Sequence, residues 1–130
     1  MALSIKIPIL EIYDRLKKAV KPLCNNTSMS FSEKQSEFPY YYISLLGAST
    51  NDKDLEGDEA TILLSLQCES FADGIGALNK AFAIDDLSHQ EMINMGFSRI
   101  YGPQEMINSD ETIKRVVSRY SRVLGYGDTL

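Results

Sequence analysis

The chain has 130 residues, a length typical of one domain, and its 44% hydrophobic and 24% charged residues are ordinary for a globular protein with a core. Its net charge of −5 argues against a general nucleic-acid binder, which would be basic. Because the apolar stretches are too short to span a bilayer and residues 1–6 lack the pattern of a secretory signal, we expect no membrane contact and a protein made in the cytosol.

The first predicted element is a helix that begins near Pro8, since proline is tolerated in a first helical turn. Apolar side chains then recur at steps of three and four residues, which is the pattern of an amphipathic helix. These side chains belong to Ile9, Ile12, Leu16, Ala19, Val20 and Leu23. Pro22 and the polar residues after it predict the end of the helix.

The next elements are predicted strands. Residues 29–33 suggest a short strand, and the aromatic and β-branched residues 40–46 a longer one. Residues 61–69 alternate strictly, with Ile62, Leu64, Leu66 and Cys68 on one apolar face. Residues 47–58 are predicted to be a polar loop, much longer than the two to five residues of most hairpin connections.

A helix is predicted after Gly74, and a further short one from a Ser88 cap to Met95. Residues 97–101 and 112–124 are predicted strands, the first of them closed by Gly102-Pro103. Paired strands separated by a helical segment indicate an α+β fold. We therefore expect one domain over residues 1–130, with an antiparallel β-sheet of about four strands and the N-terminal and middle helices on one face.

The residues that could carry chemistry do not form a catalytic set. His89 is the single histidine and is expected to be a surface residue, while the adjacent Asp85 and Asp86 are expected to diverge as helix-end or exposed charges. Cys24 and Cys68 lack metal-ligand spacing and are expected to be free, buried thiols. We predict that the protein is not an enzyme and that it holds no cofactor.

No metal site is predicted either. Residues 52–57 resemble the start of a calcium loop, but the twelfth position, which should be a bidentate glutamate, is Leu63. A calcium site of that type is therefore rejected.

Charge is distributed unevenly along the chain: residues 51–95 carry ten acidic and two basic groups. Five of the acids are concentrated in the predicted loop, at Asp52, Asp54, Glu56, Asp58 and Glu59. The last predicted strand is basic, with Arg115, Arg119 and Arg122. Either group could be a solvated surface; alternatively, the acids could face a partner or a repelled polyanion, and the arginines could form a subunit interface.

The order of these segments resembles the tail terminator proteins of long-tailed bacteriophages, also called tail completion or tail-to-head joining proteins. The resemblance spans nearly the whole chain. It rests on residues 12–16, 38–44 before the acidic loop, 61–66, the helix after Gly74, 96–99 and 115–120.

The resemblance implies a structural protein of the virion, assembled in the host cytoplasm and located in the tail at the head–tail junction. Members of this family form homo-hexameric rings on the last ring of tail tube protein, stop tube polymerisation and present a surface to the head connector or stopper protein. Genomic DNA passes through the ring without specific binding. The resemblance thus suggests that residues 52–59 face the lumen or a partner, because an acidic lumen repels phosphate. The alternatives are another neck protein, such as a connector adaptor or stopper, and a small cytosolic enzyme.

Overall fold

The computed structural model describes residues 6–29, 37–53, 59–125 and 127–130, without the side chains of residues 51–53, 59 and 60. Two helices and five strands follow each other in these ranges. They are α1 (Ile9–Val20), β1 (Thr27–Ser28), β2 (Tyr40–Lys53), β3 (Glu59–Ala72), α2 (Ala77–Asn94), β4 (Ser98–Met106) and β5 (Lys114–Gly125). The predicted α+β class is confirmed.

The strands form one sheet in the order β1-β2-β3-β5-β4. β1 is parallel to β2, while the other neighbours are antiparallel, so the expectation of about four antiparallel strands is wrong in detail. The parallel strand was missed because it has only two residues, too few to show a periodic pattern. The strand predicted over residues 29–33 is not found at Met29, and residues 30–33 lie outside the described ranges.

The core lies between the two helices and one face of the sheet. α1 contributes Ile12, Leu16 and Val20, each fully buried, and the predicted apolar face of β3 is buried as expected. From α2, Ile84 and Met92 belong to the same buried cluster. The predicted stripe of α1 is therefore confirmed at its centre, whereas Leu23, beyond the end of the helix, is exposed.

β2 is longer than predicted. The structure continues the strand to Lys53 and begins β3 at Glu59, so most of the predicted loop over residues 47–58 is strand. Ala48, Ser49 and Thr50 are exposed on both faces of this part of β2, so no apolar alternation indicates a strand there. Residues 54–58 lie outside the described ranges.

α2 is one continuous helix of 18 residues, where the sequence suggested two pieces. Ser88 does not cap a second helix but lies fully buried within the single one. The interruption in the apolar stripe misled the prediction because Asp85 and Ser88, although polar, face the core. Neither described helix combines the length and apolarity that crossing a bilayer requires.

The last strand pair is also more extensive than expected. β4 does not end at Gly102-Pro103 but continues to Met106, with two register shifts against β5. Proline is tolerated there because β4 is an edge strand and has a neighbour on one side only. β5 runs from Lys114 to Gly125, which confirms the strand predicted over residues 112–124.

Candidate functional site

Two of the five acidic residues predicted as a partner-facing or lumen loop lie at one end of the sheet. Asp52 and Glu59 are in the paired ends of β2 and β3, where Lys53 is the register partner of Glu59. Asp54, Glu56 and Asp58 lie outside the described residues, as do the side chains of the other two. The segment 52–59 is called the acidic segment below.

The part of β2 that leads to the acidic segment, residues 45–53, is called the β2 arm. Its side chains from residue 45 to residue 50 are exposed except at Gly47, which is half-buried. Leu45 and Leu46 are among them, with 46% and 49% of their surface exposed. Among the described residues, β1 pairs with β2 only at Tyr41 and Tyr42, so the outer edge of the β2 arm has no neighbouring strand.

Of the predicted interface arginines, Arg115 is tied to its own subunit. Its Nε donates to Oε1 of Glu69 over 2.7 Å, and its Nη2 forms a salt bridge with the same oxygen. The guanidinium also lies 5.9 Å from the ring centroid of Phe71. Glu69 is almost fully buried, so this ion pair compensates a carboxylate that would otherwise be isolated from water.

The other two arginines have partners within the chain as well. Arg119 donates from Nε to Gln67 Oε1 over 2.8 Å and lies over the ring of Tyr101, 5.0 Å from its centroid. Arg122 donates to the backbone carbonyls of Met95 and Thr129, at 2.7 and 3.1 Å. The role of these arginines in a subunit interface stays a prediction.

A buried polar cluster beneath α2 was not predicted. The side chain of Asp85 is only 3% exposed; its Oδ1 accepts a hydrogen bond from Ser118 Oγ at 2.6 Å, and its Oδ2 one from Arg99 Nη2 at 3.1 Å. Arg99 Nη2 also donates to Tyr120 Oη over 3.2 Å. Burial raises the pKa of Asp85, while Ser118 and Arg99 act in the opposite direction by stabilising the carboxylate. The expectation that Asp85 is an exposed or helix-end charge is wrong, whereas Asp86 is exposed.

A second group of buried polar side chains adjoins the first. Tyr41 Oη and Ser88 Oγ share a hydrogen bond of 2.5 Å deep in the core. Burial raises the pKa of the neighbouring Cys68 thiol to about 11, although hydrogen bonds to Tyr41 and Ser88 lower it in part. A thiol held protonated and covered by the core is a poor nucleophile. Both cysteines are free and buried, as predicted.

His89 is half-buried, not a fully exposed surface residue, and its Nδ1 lies 3.2 Å from Tyr120 Oη. This contact joins it to the Asp85 cluster and not to a nucleophile. Burial raises the pKa of Tyr120 to about 12, so its hydroxyl stays protonated at neutral pH. Within the described ranges, no three residues among His, Cys, Asp and Glu are grouped so that they could hold a metal ion.

A basic groove at the end of α1 was not predicted from the sequence. Lys17, Lys18 and Lys21, on the last turn of α1 and just beyond it, line a groove of about 320 Å³ together with Asp14, Cys24 and Asn25. This lysine groove lies at the end of α1, where positive charge complements the helix dipole. The lysines were visible in the sequence, but only the fold shows that they share a concave surface.

Comparison with known protein families and with curated proteins finds no match to this chain. The resemblance to tail terminators therefore stays a prediction that rests on the order and character of the sequence segments.

Proposed function

We propose that this chain is a structural subunit of a phage tail terminator. In this role it forms a ring, expected to be a hexamer, on the last ring of tail tube protein. The ring ends tube polymerisation and offers a surface to the head connector or stopper. The proposal places the protein in the virion, at the head–tail junction.

The observation that carries this proposal is the β2 arm. A strand of 14 residues is about 45 Å long, whereas the 18-residue α2 is about 27 Å long. From residue 45 to residue 50 the arm is exposed on both faces and displays Leu45 and Leu46, and no strand among the described residues pairs with its outer edge. An exposed apolar edge strand promotes aggregation in a monomer, but is suited to a protein whose arm is covered on assembly.

The charge of the acidic segment supports the same role. It ends the longest hairpin of the chain and carries five carboxylates within eight residues. In a ring through which DNA moves, acids near the lumen repel phosphate and let the duplex slide. Acids that instead face a neighbouring protein would contribute to assembly.

Tube capping tests the proposal directly. The protein is added in substoichiometric amounts to polymerising tube protein from the same phage or prophage genome, and tube lengths are measured by negative-stain electron microscopy. A terminator shortens the length distribution and leaves ring-shaped density at one tube end. Unchanged lengths and bare ends, at protein concentrations well above that of tube ends, contradict the proposal.

Leu46→Asp is the informative variant, because Leu46 is half-exposed on the β2 arm and its replacement should leave the fold intact. Ile107→Asp is its matched control, since Ile107 is 97% exposed and lies beyond the end of β4. Leu46→Asp should lose capping while Ile107→Asp retains it. Binding to the connector without capping of tubes would favour the adaptor or stopper alternative.

A further inference from the structure

Every arginine of the chain donates hydrogen bonds within the chain itself, and three of the five are paired with a carboxylate. The bonds are Arg15 to Glu91, Arg99 to Asp85, Arg115 to Glu69, Arg119 to Gln67, and Arg122 to the carbonyls of Met95 and Thr129. Arg119 and Arg122 bond to neutral acceptors and would have to give up these bonds to turn towards an acidic partner, whereas exposed lysines without such bonds offer their charge directly.

The lysines of the lysine groove meet this requirement. All three are exposed, and among the described residues none has a carboxylate within ion-pair distance. Lys17 Nζ lies 5.9 Å from the ring centroid of Tyr13, which leaves its charge available to solvent. Among the described residues of the lining, Asp14 is the one acid, so these residues carry an excess of two positive charges.

The lysine groove lies far from the described ends of the acidic segment, which are Lys53 and Glu59. The groove adjoins the start of β2, because Cys24 Sγ contacts the carbonyl of Pro39 at 3.4 Å and the Tyr41 N–H donates to the carbonyl of Asn26. From Tyr41, β2 runs twelve residues to Lys53, which is about 40 Å in an extended strand. The described ends of the acidic segment are therefore too distant to contact the groove of the same subunit.

We propose that the acidic segment of one subunit docks in the lysine groove of a second copy of this chain. The inference deepens the proposed function, since it names the self-contact that would build the ring. Two different surfaces meet in such a contact, so the association is head-to-tail and closes into a ring when the rotation between subunits allows. Five carboxylates facing three lysines make the contact electrostatically complementary and sensitive to salt.

A charge-swap experiment tests the contact. One variant carries Lys17→Glu, Lys18→Glu and Lys21→Glu, and the second carries Asp54→Lys, Glu56→Lys and Asp58→Lys. In each variant the two surfaces of the contact have net charges of the same sign, so each should self-associate at least about tenfold more weakly than the wild type. In an equimolar mixture, each acidic surface meets a basic one again, so assembly should return as alternating copies.

Sedimentation velocity at 50 mM and 500 mM NaCl measures the association, and circular dichroism verifies that each variant is folded. The matched control carries Lys6→Glu, Lys80→Glu and Lys114→Glu, which changes net charge as much as the lysine variant but outside the groove. Lys6 and Lys80 are exposed, and Lys114 is half-buried and gives up only a 3.9 Å surface ion pair with Glu105. It should associate within about threefold of the wild type.

Recovery of assembly in the mixture supports the contact, and loss of wild-type association at high salt supports it further. A wild type that stays monomeric at low salt overturns it, as does a mixture of folded variants that fails to assemble. Duplex DNA bound by the groove, with self-association unchanged in the Lys→Glu variant, also overturns it. The tube-capping assay is separate: charge-dependent assembly without capping leaves the contact standing and refutes the proposed function.

Discussion

Replacement of Asp85 by alanine tests whether the buried polar cluster holds α2 on the sheet. The change removes the acceptor for Ser118, which is fully buried, and for Arg99, whose side chain is 23% exposed. Breaking a buried ion pair by removing one partner costs about 3–5 kcal/mol. Because Arg99 retains some solvent contact and its bond to Tyr120, we expect the lower end, about 3 kcal/mol.

Asp86→Ala is the matched control, since Asp86 is the next residue of the same helix, is exposed and accepts one hydrogen bond from Gln90. Both substitutions gain the same helix propensity, so their difference isolates burial and pairing. With a urea m-value of about 1.5 kcal/mol/M, Asp85→Ala should lower the unfolding midpoint by about 2 M. Asp86→Ala should change it by about 0.3 M at most.

Urea unfolding followed by far-UV circular dichroism at pH 7 provides the measurement. Asp85→Asn should fall between the two variants, because the amide oxygen can still accept from Ser118 although the charge facing Arg99 is gone. If Asp85→Ala and Asp86→Ala shift the midpoint equally, the reasoning from burial is refuted.

Three further predictions concern other positions. Between pH 9 and about 11, the unfolding free energy of the wild type should fall more steeply than that of Cys68→Ala, by roughly 1 kcal/mol per pH unit, because the folded chain keeps a thiol proton that the unfolded chain releases. Parallel pH curves for the two proteins would contradict this. Gly102→Ala should lower the unfolding free energy by more than about 2 kcal/mol, since φ is +84° and the new Cβ would overlap a backbone carbonyl of β5. Gly76→Ala, at φ +70° with open space around the new Cβ, should lower it by about 1 kcal/mol. Equal losses of unfolding free energy in urea would exclude the overlap. Arg115→Met should reduce the melting temperature more than Glu69→Gln does, because methionine leaves a buried carboxylate unpaired while glutamine still accepts a hydrogen bond from the guanidinium. A larger decrease in melting temperature for Glu69→Gln than for Arg115→Met would show that the pair does not stabilise the fold.

The sequence predicted those elements whose burial is one-sided. α1 and β3 each have one buried face and one solvated face, and the resulting periods of 3.6 and 2 were visible in the chain. The free, buried cysteines were predictable for a similar reason, since thiols without ligand spacing behave as small apolar residues.

Features that depend on three-dimensional neighbours were not predictable. Asp85 and Asp86 are the same residue type at adjacent positions, and only the placement of Arg99 and Ser118 decides which of them is buried. The length of β2 was missed because its arm is solvated on both faces and shows no alternation. The lysine groove likewise depends on the turn of the chain after α1, which brings Cys24 and Asn25 beside the lysines of the helix.

The two long edges of the sheet, β4 and the part of β2 beyond its pairing with β1, differ in a way that limits uncontrolled growth. On β4, Pro103 lacks an amide hydrogen and two register shifts interrupt the strand, so an added strand would find a broken template. The edge of β2 beyond Tyr42 has no such interruption by proline. Two molecules that paired through their β2 edges would form a two-fold dimer with a β4 strand at each outer end. Because the β4 edge at either end of such a dimer is a poor template for a third molecule, edge-to-edge pairing would stop at two copies. This arrangement of edges therefore disfavours fibre formation.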